Sequence, residues 1–228
     1  MRIIVALSGG MDSATLLGTL FRQSGTKEIH CCIFNYGSKH VEWEMEAARK
    51  LIHFYDGHDG PAVITHFFDL STIMSRFKSA LLQTGGPIPE GHYKDVNMKQ
   101  TVVPGRNLIF ISIMAGLAES LNIKTISLGV HSGDHFIYPD CRPEFIYSAR
   151  WVLHHSAETR VKLAAPFLFL NKAKILELGY KCNPPVPYEL TRTCYKDQEL
   201  SCGKCGSCSE RLEAFGQINR QDPIQYEA

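Results

Sequence analysis

No excess of one charge marks this chain: 24 Lys and Arg stand against 23 Asp and Glu in 228 residues. No block of one sign interrupts the mixture. Gripping bulk nucleic acid or an anionic membrane takes a basic surface, so no direct nucleic-acid partner and no membrane partner is expected. Long apolar runs are missing too. The opening run, residues 3–7, stops at Ser8-Gly9-Gly10, too short for a signal-peptide core or a bilayer span, and no later stretch reads as a crossing. There is no internal repeat, and the Gly-Lys-Ser/Thr ending of a Walker A loop is absent. A cytoplasmic location is expected, where thiols stay reduced. Eight cysteines in that setting point to metal or chemistry rather than disulfides.

What is present is ordinary globular composition, 44% hydrophobic and 21% charged. Short β-rich runs alternate with helix-like segments. The patterns predict strands over 2–7, 28–34, 62–68, 124–130 and 161–166, and helices over 12–23, 41–54, 106–121 and 143–155. A further helix runs to Leu178, with Asn171 as its cap. Such alternation implies an α/β fold, a parallel sheet with helices on both faces, whose ligands collect beyond the carboxyl ends of the strands. Residues 83–104 have several Gly and Pro and little periodicity, the mark of a long lid or binding loop. From 183 onward Pro, Cys and Gly dominate. The expected division is therefore a domain over 1–182 and a small C-terminal module over 183–228.

Ser8-Gly9-Gly10-Met11-Asp12-Ser13 joins the first strand to the first helix. Two glycines let the backbone turn sharply toward an anion, and the helix start adds unpaired N–H groups and a positive dipole end. Ser8 and Ser13 add hydroxyl donors, and Asp12 is an oxygen ligand suited to Mg²⁺. A plain turn capped by Asp12 or Ser13 is the alternative.

Cys194, Cys202, Cys205 and Cys208 carry the spacing of a four-thiolate metal site, with Gly203 and Gly206 permitting tight turns. Zinc is the expected metal. An iron–sulfur cluster and a redox pair are the competing readings. Cys31, Cys32 and Cys182 read as ordinary buried small residues.

The Ser8–Ser13 pattern resembles the SGGxDS loop of the PP-loop ATP pyrophosphatases, enzymes of the adenine nucleotide alpha-hydrolase-like, Rossmann-like fold. Four more segments narrow the resemblance: Val103-Pro104-Gly105-Arg106-Asn107, Tyr138-Pro139-Asp140-Cys141-Arg142, Pro187-Tyr188-Glu189-Leu190, and the cysteine knot. Together they resemble the 7-cyano-7-deazaguanine synthases of the QueC type. The resemblance implies a C–N ligase of queuosine-type biosynthesis: ATP, Mg²⁺ and ammonia convert 7-carboxy-7-deazaguanine to the nitrile. It also implies a homodimer. An amide synthase on a related acid and a tRNA thiolation enzyme are the alternatives within the superfamily.

The implied catalytic set is Ser8, Asp12, Ser13 and Arg106. The implied nucleotide contacts run through Ser8, Gly9, Gly10, Met11, Asp12, Ser13, Ala14, Thr15, Leu16, Leu17 and Gly18, with Lys39, His40, Arg106 and Asn107. Substrate contacts are expected from Asp134, Tyr138, Asp140 and Arg142. Some of these have plain alternatives. Arg106 can stand solvated on a Pro-Gly turn, Lys39 and His40 can belong to a solvated loop, Asp140 can cap the helix starting at Pro143, and Tyr138 can simply pack. The chain departs from the family pattern at Ser38, at His131-Ser132-Gly133-Asp134 and at Thr191-Arg192-Thr193, all around the expected pocket.

Overall fold

Alternating side chains in the first strand set the layering. In the computed structural model, which describes every residue except Ala157, Thr159 and Ala228, and Asp134 by its backbone alone, β1 (Arg2–Ala6) is the central strand. It sends Ile3 and Val5 into one apolar layer and Ile4 into the other. A strand buried on both faces must be apolar at every position, which is why the run is continuous rather than alternating.

The other strands are β2 (Glu28–Asn35), β3 (Ala62–Asp69), β4 (Thr125–Ser127) and β5 (Lys162–Ala164), all parallel in the order β3-β2-β1-β4-β5. Three-layer packing follows. Helices α1 (Met11–Arg22) and α2 (Val41–Asp56) bury Leu16, Leu17, Leu51 and Tyr55 against one face. After the one-turn α3 (Ser71–Met74), the helices α4 (Arg106–Ser120) and α5 (Pro143–Ser156) bury Ile111, Met114, Ile146 and Leu153 against the other. Helices α6 (Lys172–Tyr180) and α7 (Gly206–Gln217) return to the first face through Ile175, Leu176, Ala214 and Phe215. The parallel, doubly wound α/β expectation holds. Asn171 caps α6 as expected, its Oδ1 accepting from the Lys174 N–H at 2.9 Å.

Three strands, β1, β4 and β5, are shorter than their patterns. The predicted 124–130 pairs with β5 only from Thr125 to Ser127. Beyond it Gly129 lies so close to α1 that a Cβ there would stand 3.2 Å from the Asp12 backbone, so the chain leaves the sheet to pass the helix start. The 83–104 segment is less open than its composition suggests. It forms a 3₁₀ turn at Val96–Thr101, buries Met98 and Val103, and Gly91 N–H donates to Lys204 O at 3.0 Å.

The segment Val96–Ser120 is, against the sequence reading, long and apolar enough by composition to cross a bilayer. Here it is a 3₁₀ turn, a break at the left-handed Gly105, and α4 packed on the sheet. The C-terminal stretch docks through one buried charge. Arg211, fully buried, forks onto Asp222 at 2.6 and 2.9 Å and donates to Tyr188 O, Thr191 Oγ1 and Thr193 Oγ1. A buried guanidinium is tolerable there because a carboxylate and three further oxygens answer its donors.

Candidate active site

Strand order reverses between β1 and β4, and a crevice opens where their carboxyl ends part. A cleft of about 1040 Å³ lies there, lined by Ser8, Gly10, Met11, Asp12 and Ser13 after β1 and by Gly129 and Val130 after β4. Arg106, Tyr138, Lys172 and Glu210 close its other sides.

The turn after β1 is held open by its own side chains. Gly10 N–H donates to Ser8 Oγ at 3.3 Å, Ser13 Oγ donates to Gly10 O at 3.0 Å, and the two serine hydroxyls lie 3.2 Å apart. Gly9 has φ +79°, and a Cβ there would meet Glu44 O at 2.5 Å and Ala47 Cβ at 2.8 Å. Only glycine fits that corner. No side chain caps α1; its first N–H groups face the cleft, the arrangement that receives anions.

Asp12 is the centre of charge. Its Oδ2 lies 3.4 Å from Lys172 Nζ and 3.6 Å from His131 Nε2, and Lys172 Nζ donates to Glu210 Oε2 at 2.7 Å. Burial works against the Asp12 charge, but Lys172 and then His131 outweigh it and hold the carboxyl well below the usual carboxylate range. Among the described residues Asp12 Oδ1 is buried without a hydrogen-bond partner. An ionised carboxylate with one unmet oxygen, set at an anion-receiving turn, has the donor chemistry of a hard divalent cation site.

The four predicted knot cysteines converge. Their sulfurs lie within 4.8 Å of one another, and all four residues are buried. Cys205 N–H donates to Cys202 Sγ at 3.3 Å; the N–H groups of Lys196 and Cys202 both donate to Cys194 Sγ at 3.4 Å. The Cys194 thiol is pulled down by hydrogen bonds from the Cys205 and Cys208 thiols. Four close sulfurs with N–H donors around them fit a tetrahedral thiolate metal, zinc above all. Knot and turn are joined. Arg192 donates its backbone N–H to Gly9 O at 2.8 Å, while its guanidinium donates to the carbonyls of Lys196, Gln198 and Glu199 in the loop between Cys194 and Cys202.

Comparison with known proteins places this geometry. The sequence profile described as Queuosine biosynthesis protein QueC matches residues 2–219. The chain belongs to the QueC family. A 7-cyano-7-deazaguanine synthase of Pseudoalteromonas atlantica is 42% identical over 226 residues, 99% of both chains. One of Caldicellulosiruptor saccharolyticus is 43% identical over 227 residues, covering 100% of this chain and 96% of the relative. Among solved structures, NMN synthetase from Francisella tularensis superposes with a TM-score of 0.50 at 12% identity, covering 96% of this chain and 77% of that one. That likeness speaks for the fold alone.

Within this QueC-family cleft the sequence-predicted residues divide. Ser8, Gly10, Met11, Asp12, Ser13, Arg106, Asn107 and Tyr138 line it, and Gly9 turns the corner behind it. Ala14, Thr15, Leu16, Leu17 and Gly18 do not; they face the α1–α6 core, with Thr15 Oγ1 2.7 Å from Tyr188 OH. Helical geometry explains the difference, because past its first turn an amphipathic helix packs its apolar side chains sideways against its neighbours, out of reach of a crevice beyond its N-terminus. A Gly18 Cβ would meet Tyr55 OH at 2.6 Å and Val186 Cγ2 at 2.7 Å. Gly18→Ala is therefore expected to cost about 1–3 kcal/mol by overpacking. A fall in the denaturation midpoint with an unchanged KM for ATP checks it; a KM shift alone would return Gly18 to the binding set.

Lys39 instead donates to the carbonyls of Gly85 and Gly86, and buried His40 lies 3.3 Å from Glu44 Oε1. Neither lines the cleft. Asp140 Oδ2 accepts the Asn107 N–H at 2.9 Å, so it closes the start of α4 rather than that of α5, and Asn107 Nδ2 donates back to Asp140 O. Arg142 is exposed and donates to His135 O. The Asp134 side chain lies outside the described residues. Tyr138 OH meets Thr101 Oγ1 at 2.9 Å and Tyr195 OH at 3.0 Å.

Sequence reasoning missed His131, Lys172 and Glu210. One signal was available for Lys172: a lysine in the first turn of α6 opposes the helix dipole, a placement that local stability disfavours. Cys31 and Cys32 are buried as expected, and burial pushes the Cys32 thiol up to about 12. Cys182 is only half-buried.

Proposed function

We propose that this chain is an ATP-dependent ligase that converts 7-carboxy-7-deazaguanine and ammonia to 7-cyano-7-deazaguanine, as its named relatives suggest. The observation that carries the proposal is the Ser8–Ser13 turn at the switch point, with the ionised Asp12 and its unmet Oδ1 beside it. Ser8, Ser13 and the α1 N–H groups hold the outer phosphates of ATP. Lys172 and Arg106 supply positive charge on two sides of the triphosphate. Asp12 would hold Mg²⁺, which neutralises charge on the departing pyrophosphate.

The acid's carboxylate oxygen bonds to the α-phosphorus, the α–β bridge breaks and pyrophosphate leaves. Ammonia then bonds to the acyl carbon, and AMP leaves with the C–O electrons. The amide oxygen takes a second AMP in the same way. Loss of that AMP and the remaining N–H protons gives the nitrile. The protein positions and neutralises throughout, with no covalent enzyme intermediate. Tyr138 borders the acid. The 183–228 stretch acts as a zinc-stapled module whose metal does no chemistry, since four thiolates fill its coordination.

The same reading places the enzyme in the cytoplasm as a homodimer. The exposed row Tyr147, Trp151 and Val152 on α5 supports self-association, and light scattering tests it. The deciding experiment incubates the protein with Mg-ATP, ammonium and the 7-carboxy acid. AMP, pyrophosphate and the nitrile are expected; acid-independent ATP hydrolysis or no pyrophosphate at all would sink the proposal.

A further inference from the structure

Glu210, near the start of α7, stands where three hollows meet. One is the central cleft. The second, about 330 Å³, is bordered by Tyr93, Tyr138 and Tyr195 with Met98 and Ile137. The third, about 650 Å³, lies between the start of α6 and the length of α7 from Glu210 to Gln217, beside the exposed Lys94. Tyr93 and Gly133 border both the second and the third. A Cβ at Gly133 would stand 2.4 Å from Glu210 Oε1, so the bare backbone of the 3₁₀ turn at Ser132–Phe136 keeps that oxygen's surroundings open.

His131 stands beside Asp12, 3.6 Å from its Oδ2. Asp12 and Glu210, two carboxylates, share Lys172, which lies 2.7 Å from Glu210 Oε2 and 3.4 Å from Asp12 Oδ2. The Glu210 side chain is 12% exposed, and a carboxylate so enclosed attracts a cation far more strongly than one in water. Tyrosine walls can replace part of a small cation's hydration shell. The first turn of α7 works the other way, because its N–H groups favour anions. The Glu210 carboxylate therefore sets the sign of the hollow.

We propose that this tyrosine-walled hollow is the binding site for the ammonium ion that the reaction consumes, with Glu210 as its recognition carboxylate and the outer hollow as its entry. The assignment rests on the acid-plus-ammonia reaction proposed above. It gives nitrogen a route to the acyl carbon other than past bound ATP, the ammonium releasing one proton to solvent through the outer hollow before ammonia bonds to the carbon.

A competition experiment tests it. The enzyme receives Mg-ATP, the 7-carboxy acid and equal amounts of ammonium chloride and hydroxylamine, which is uncharged at neutral pH. Mass spectrometry then compares amide plus nitrile with hydroxamate. Both products draw on one adenylate, so their ratio is insensitive to how fast it forms. In Glu210→Gln the ratio should shift about 30-fold toward hydroxamate, the scale of one charge-assisted contact. Glu210→Asp, which keeps the charge, should shift less. An unchanged ratio in Glu210→Gln, or equal shifts in both variants, would overturn the site. Failure of the wild type to release pyrophosphate on adding the acid would instead overturn the parent reaction.

Discussion

Replacing Asp12 with Asn should lower kcat/KM for ATP by about three orders of magnitude while leaving the fold in place. Asn keeps the size of the side chain and removes only its charge. That charge does two things here. It balances Lys172 and His131, which stand 3.4 and 3.6 Å away, and it charges the unmet Oδ1. With Asn, Lys172 keeps Glu210 at 2.7 Å, so no buried ammonium is stranded and the unfolding midpoint should move little. The loss should fall on catalysis, and excess Mg²⁺ should restore part of it if Asp12 holds that ion. Pyrophosphate release against Mg²⁺ concentration, with thermal unfolding alongside, separates the outcomes. A variant within tenfold of wild type would remove Asp12 from the chemistry. The pH profile gives a second check. Lys172 and His131 hold the Asp12 carboxyl below its usual range, so this carboxylate stays ionised through mildly acidic pH, and any acid limb between pH 5 and 7 must persist in Asp12→Asn.

Most of the layering could be read from periodicity, because a doubly wound fold leaves strong local marks: doubly buried strands are continuously apolar, and covering helices repeat at helical spacing. The phosphate turn was legible for the same reason, all its parts lying within six residues. The rest of the site is assembled across distance. His131 follows β4, Lys172 opens α6 and Glu210 belongs to α7, and only the sheet order brings them to Asp12. No local pattern encodes that meeting. Asp140 depends on distance in the same way. Its sequence position suggested a ligand contact or the cap of α5, yet its carboxylate closes α4, whose start is 33 residues away in the chain. A short polar side chain in a loop serves whichever unpaired N–H the tertiary structure brings to it. The apolar pattern over 124–130 outruns β4 because Leu128 and Val130 stay buried in the α4–α5 layer beyond the last strand pair at Ser127.

Removing the knot metal should do more than loosen the tail. Binding of zinc to four thiolates is worth on the order of 10 kcal/mol, and a free energy of that size enters folding directly. Without it the buried sulfurs of Cys194, Cys202, Cys205 and Cys208 lose the ion that justifies their crowding, and the loop between the first two loses its anchor. Arg192 carries the consequence inward. Its guanidinium is bound to three carbonyls of that loop, its Cζ lies 5.3 Å from the Trp43 ring on α2, and its N–H donates to Gly9 O in the phosphate turn. A slack loop frees the guanidinium, and the corner at Gly9 loses the contact that fixes it from behind. Chelation, or Cys208→Ser, should therefore lower the unfolding midpoint steeply and weaken ATP binding at least tenfold in whatever fraction stays folded. Metal analysis of the untreated protein should return one zinc per chain, whereas iron with visible absorbance would replace zinc by a cluster. If the stripped protein keeps both its midpoint and its affinity for ATP, the knot is ornamental and Arg192 transmits nothing.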